Sequence, residues 1–121
     1  KNIKFIKPLN FTEYNSLQIN SKVVISDSGT ISEESSILNF NAINLRETHE
    51  RPEAMEEASI ILSGLNEERF FQALDIIISN KQENSQRLKL VQDYNVDNVS
   101  EKILRIIISY TDYINNFTWK K

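Results

Sequence analysis

Lys22-Val23-Val24-Ile25-Ser26-Asp27-Ser28-Gly29-Thr30-Ile31-Ser32-Glu33-Glu34 is a strand, a turn and a helix start in thirteen consecutive residues. The opening run is apolar and rich in β-branched residues, as expected of a strand buried on both faces of a parallel sheet. Asp27-Ser28-Gly29 turns the chain, and a helix is expected from about Thr30 to Asn39. Ala42-Ile43-Asn44-Leu45 follows as the next strand, so the helix is the crossover between two parallel neighbours.

The same alternation extends in both directions. Upstream, Ile3-Lys4-Phe5-Ile6 reads as a short strand ended by Pro8, and Asn10 caps a helix from Phe11 to about Ile19. Downstream, Arg51-Pro52 opens a short helix with Pro52 suited to its first position, and Ser59-Ile60-Ile61-Leu62 is a fourth strand. Asn66 caps a helix whose Phe70, Phe71, Leu74, Ile77 and Ile78 share one face. A weaker helix is expected over about Gln82 to Asp93. The last helix, Val99 to about Asn116, has the cleanest period: Val99, Ile103, Ile106, Ile107, Tyr110, Tyr113, Ile114 and Phe117. Both stripes read as core. The fold class is therefore α/β: a parallel sheet of about four strands flanked by helices, in one unit over residues 1–121, with β/α units to residue 80 and C-terminal helices from 81. Ligands of such sheets bind beyond the carboxyl ends of the strands, which directs attention to the residues after Ile25, Leu45 and Leu62.

Composition narrows the function. A chain of 121 residues supports one domain, and its formal net charge of −3 argues against a protein that tracks a phosphate backbone. With no cysteine and His49 as the single histidine, neither disulfides nor a zinc site is expected, and no cofactor is implied. No apolar run approaches the roughly 20 residues that span a bilayer. The chain reads as cytoplasmic and as an excerpt of something longer. Asn-x-Ser/Thr triplets at Asn10, Asn98 and Asn116 read as chance matches.

The turn carries the chemistry. The free N–H groups of a helix's first turn and its dipole attract an anion, Gly29 lets backbone approach closely, and Ser28 and Thr30 add hydroxyl donors; phosphate is the natural guest. The competing reading is a capping box between Thr30 and Glu33. Glu34 shares the inward stripe marked by Ile31 and Leu38, so its carboxylate is partly desolvated and needs a partner. The vicinal hydroxyls of a ribose suit it; an arginine would suit it too. Arg46-Glu47-Thr48-His49-Glu50-Arg51 overhangs the same sheet edge, where Arg46 and Arg51 either clamp a pyrophosphate or pair with their own glutamates. His49 reads as a loop residue. Phe11 and Tyr14 either pack on a flat base or join the core.

Ser-Asp-Ser-Gly-Thr-Ile-Ser-Glu-Glu at 26–34, followed by Leu-Arg-Glu-Thr-His-Glu-Arg-Pro-Glu-Ala at 45–54, resembles the non-hydrolysing UDP-N-acetylglucosamine 2-epimerases. The similarity runs from about Lys4 to the last helix. Thr30 stands where most of that family has a second glycine. The run Ser-Asp-Ser-Gly-Thr-Ile-Ser-Glu-Glu-Ser-Ser with Ile-Leu-Asn-Phe after it looks more like the branch making UDP-N-acetyl-L-fucosamine for capsule and O-antigen. Asn41 replaces the proline usual before this strand. The resemblance implies the C-terminal lobe of a two-lobed, GT-B-like enzyme holding a UDP-sugar in its cleft. Ser28, Gly29 and Thr30 would then lie at the phosphates, Glu34 at the ribose, Tyr14 and Leu9 along the uracil, and Arg46 and Arg51 on the phosphate side. It also implies that the acid–base residues lie upstream, none of them here, so that the chain alone is inactive.

The partners so implied are a UDP-sugar, the missing N-terminal lobe and further copies in a homo-oligomer. In a 3-2-1-4-5-6 sheet, strand Ile3–Ile6 would stand two missing strands away from Val23–Ser26; either it pairs beside it directly, or an open edge remains. Two other readings stay open: a GT-B glycosyltransferase lobe, against which Glu-Arg-Pro-Glu-Ala argues, and a non-catalytic nucleotide-binding module.

Overall fold

The computed structural model describes residues 2–79 and 90–120. Its elements are α1 (Phe11–Asn20), β1 (Val24–Ser26), α2 (Ile31–Leu38), β2 (Ala42–Asn44), α3 (Pro52–Glu56), β3 (Ile61–Leu62), α4 (Glu67–Ser79) and α5 (Val99–Phe117), with a 3-10 turn at Gln92–Tyr94 before α5. The sheet is parallel, in the order β1-β2-β3. Ile25 stands beside Ile43 and Ile43 beside Ile61, so Ser26, Asn44 and Leu62 finish level with one another at the carboxyl edge. Every residue of the central strand is buried. The core beneath it is Ile31, Phe40, Ala42 and Ile60, with Val24 and Leu38 against it.

Local chemistry explains the helix ends. Asn10 and Glu13 form a reciprocal capping box at α1: Asn10 Oδ1 accepts the Glu13 N–H at 2.9 Å, and the Glu13 carboxylate accepts the Asn10 N–H at 3.4 Å. Asn66 Oδ1 caps α4 by accepting the Arg69 N–H at 2.9 Å. Pro52 occupies the first turn of α3. Asn39 stops α2 in the left-handed conformation, φ 60°, and Gly64 takes φ 61° in the turn out of β3.

Three expectations are corrected. Ile3–Ile6 is not a strand: residues 2–10 are irregular and Phe5 is 99 % exposed. A lone extended segment with no neighbouring strand has nothing to satisfy its backbone, so the sheet has three strands and the outer side of β1 stays open among the described residues. The α5 stripe is not core, since no residue of α5 is buried and Ile103, Ile107 and Tyr110 are all more than half exposed. In α4, Ala73 is buried while Phe71 and Ile78 are exposed. Period reveals that a face is apolar; it does not reveal what covers it. The weak helix expected at 82–93 falls largely outside the described residues, and its described end is the 3-10 turn.

Candidate functional site

The turn after β1 is wired by its own hydroxyls. Ser26 Oγ accepts the Ser28 N–H at 3.0 Å, and Ser28 Oγ accepts the Thr30 N–H at 3.2 Å. Thr30 Oγ1 donates to Glu34 Oε1 at 2.6 Å, which uses its one proton. The 2.9 Å contact between the two hydroxyls is therefore donated by Ser28. The result is a directed chain, Ser28 to Thr30 to Glu34, ending on a carboxylate. Thr30 makes no capping box with Glu33: its hydroxyl goes one residue further, to Glu34.

Glu34 is half-buried at the first turn of α2 and faces back toward Thr30 and the glycine turn. Its second oxygen accepts Gln18 Nε2 at 2.6 Å. Arg51 does not reach it; its guanidinium Nε donates to Glu33 Oε1 at 2.6 Å instead. That bond and the charge of Glu33 hold the Arg51 guanidinium above even its ordinary pKa.

Gly29 owes its place to space. It is not among the residues with positive φ, and a Cβ built there would lie 3.2 Å from Arg46 Nη1. Arg46 is thus brought onto the turn, where its Nε donates to the Asp27 carbonyl at 2.8 Å and its Nη1 stands 3.4 Å from Glu50 Oε2. Of the two arginines expected at the phosphate side, the structure brings Arg46 to the turn and ties Arg51 to Glu33. His49 Nδ1 accepts the Arg51 N–H at 2.9 Å, so it supports the entry into α3. Beyond it Tyr94 donates to Glu53 Oε1 at 3.0 Å, and burial, with that bond second, pushes its phenol pKa upward.

Tyr14 and Leu9 face a common cleft of ≈ 470 Å³, mainly apolar, between residues 6–9, α1 and β1. Phe11, 80 % exposed, joins neither the cleft lining nor the core. Two residues that sequence reasoning passed over complete the site. Asn44, at the end of the central strand and 2 % exposed, accepts the Arg46 N–H at 2.9 Å and donates to the Ser28 carbonyl at 3.3 Å. An amide inside the apolar run Ala42-Ile43-Asn44-Leu45 was the available signal. Gln18, 3 % exposed, left none that separates it from a surface glutamine.

A glycine turn at the carboxyl edge of a parallel sheet, opening a helix and backed by an inward carboxylate, is the place where open α/β sheets take their ligands. Comparison with known proteins names the family. Residues 1–108 match the UDP-N-acetylglucosamine 2-epimerase family, and the chain belongs to it. A solved UDP-N-acetylglucosamine 2-epimerase from Rickettsia bellii is 49% identical with a TM-score of 0.88, over 98% of this chain and 32% of its own. The Methanocaldococcus jannaschii enzyme, solved in complex with UDP-GlcNAc and UDP, is 34% identical with a TM-score of 0.73, over 90% of this chain and 28% of its own. A curated relative from that organism, a UDP-N-acetylglucosamine 2-epimerase, is 38% identical over 67% of this chain. The chain spans 22% of that relative's length and 29% of the Bacillus subtilis one. Among the described residues no helix is long and apolar enough to cross a membrane.

Proposed function

We propose that this chain is the C-terminal, UDP-binding lobe of a cytoplasmic UDP-N-acetylhexosamine 2-epimerase, in the branch that makes UDP-N-acetyl-L-fucosamine for capsular and surface polysaccharide. The observation that carries the reading is the placement of Glu34, turned to the glycine turn and unclaimed by either arginine. Each of its oxygens accepts one bond from the protein and keeps a lone pair for a ribose hydroxyl. Ser28, Gly29 and Thr30 receive the diphosphate, with Arg46 over the turn and Arg51 behind it on Glu33. Tyr14 and Leu9 take the uracil in the cleft they share.

The reaction of such an enzyme eliminates UDP from the sugar and adds it back with C2 inverted. This lobe's share is electrostatic: the positive end of α2 and the Arg46 guanidinium over the turn, fixed before the reaction, stabilise charge as the UDP leaves. Proton transfer at the sugar falls to residues outside this chain, so the chain alone turns nothing over. The exposed α5 stripe and the share of its relatives' length that the chain spans support two partners, the remaining lobe and a second copy.

Calorimetric titration with UDP tests the reading. Glu34→Ala removes the acceptor of two ribose hydroxyls, and the expected loss is about 2–3 kcal/mol, roughly 30- to 150-fold in Kd. UDP affinity unaltered in Glu34→Ala refutes the assignment.

A further inference from the structure

Helix α1 is inverted with respect to an ordinary amphipathic helix. Gln18 is its single buried residue, while its neighbours Leu17 and Ile19 are 56% and 50% exposed. Hydrophobic burial would have turned a leucine inward and an amide outward. The amide sits inside because of what it touches: Nε2 donates to Glu34 Oε2 at 2.6 Å, a short bond of the charge-assisted kind. The other end is a cost. Gln18 Oε1 is buried with no partner among the described residues. Reversing the amide would press its oxygen against the carboxylate, so the orientation is set by Glu34 and the unpaired carbonyl is its consequence.

We propose that Gln18 is a positioning residue, holding Glu34 in the rotamer that receives the vicinal hydroxyls of a nucleoside diphosphate's ribose. The proposal rests on the ribose reading of Glu34 given above. Thr30 grips one carboxylate oxygen from the turn and Gln18 the other from α1, so the carboxylate is held by two donors, one on each oxygen. A carboxylate held by Thr30 alone keeps its charge and swings about that one contact. Gln18 also borders the cleft of Tyr14 and Leu9, so the residue that orients the ribose carboxylate is a wall of the base cleft as well.

The test is titration of the protein with UDP and with 2′,3′-dideoxy-UDP, for wild type, Gln18→Met, Gln18→Leu and Glu34→Ala, with melting temperatures alongside. Both Gln18 variants fill the volume and remove the donor; losing the unpaired buried carbonyl offsets part of the cost of leaving Glu34 Oε2 without its donor, and the melting temperatures read the remainder. The expected result is UDP binding weakened about five- to tenfold, with dideoxy-UDP binding changed less than about twofold. Equal loss for both ligands, or no loss for UDP while Glu34→Ala loses ribose discrimination, overturns the positioning role and leaves the ribose reading standing. Glu34→Ala that fails to discriminate the two ligands overturns both.

Discussion

Asn44 is the residue through which the sheet holds the glycine turn, and replacing it measures how much of the site's shape comes from the strand below. Asn44→Ala deletes one bond of ordinary length, from Arg46 N–H at 2.9 Å, and one longer bond, to the Ser28 carbonyl at 3.3 Å. The first is worth about 1 kcal/mol and the second less; leaving both backbone groups short of a partner brings the expected loss of stability to about 1.5–3 kcal/mol. For a domain of this size that lowers the melting temperature by roughly 6–12 °C. Ser28 also loses the contact that fixes its carbonyl, so UDP is expected to bind about three- to tenfold more weakly.

Asn44→Asp separates the two bonds. The carboxylate still accepts from Arg46 but faces the Ser28 carbonyl without a donor, and it places a buried negative charge beneath the turn proposed to receive the diphosphate. Its UDP affinity is expected to fall below that of Asn44→Ala. Circular dichroism melts and calorimetry provide both readouts. An Asn44→Ala protein that melts within about 2 °C of wild type and binds UDP unchanged refutes the reasoning, because the turn would then be self-supporting.

Gly29→Ala is expected to leave the melting temperature nearly unmoved, since the new methyl meets the movable ends of the Arg46 and Glu50 side chains, yet to weaken UDP binding at least about tenfold by filling the phosphate approach. Equal UDP affinity of the two proteins would count against a phosphate there. Tyr94→Phe tests the alkaline limb of stability. Folding raises the phenol's pKa above its ordinary 10.0, so Tyr94 stabilises the fold fully below that pH, and the contribution fades as pH rises toward the folded value. Wild type is expected to lead the variant at pH 8 and to lose that lead above pH 10; a lead that persists at high pH refutes the coupling. The exposed stripe of α5 is expected to make the 14.1 kDa chain self-associate in sedimentation velocity, and Ile103→Lys with Ile107→Lys to restore a monomer. A wild-type chain that is monomeric throughout would refute this.

Much of the architecture could be read from residue order because its causes are local. Val23-Val24-Ile25 beside a serine-glycine turn reads as a strand entering a helix, although β1 proves to be an edge strand with Ile25 47% exposed rather than a strand buried on both faces. Asn10, Pro52 and Asn66 mark helix starts through bonds made within a few residues. The inward placement of Glu34 follows from its spacing to Ile31 and Leu38. Ile3–Ile6 and α5 were misread for one reason. Strand propensity and helical period describe a surface, whereas pairing and burial depend on a second surface that the same residues do not specify.

The site divides in the same way. Ser28, Gly29, Thr30 and Glu34 lie within one strand–turn–helix passage, so their convergence was written in their spacing. Which arginine serves the turn was not: Arg46 and Arg51 are chemically alike, and only the packing of α2 against α3 gives Arg51 to Glu33 and leaves Arg46 over Gly29. The amide inside Ala42-Ile43-Asn44-Leu45 marks Asn44 in the sequence, but its role, like that of Gln18, became visible only in three dimensions, because each acts on a residue 16 positions away and an amide's role depends on which charge or carbonyl the fold sets against it.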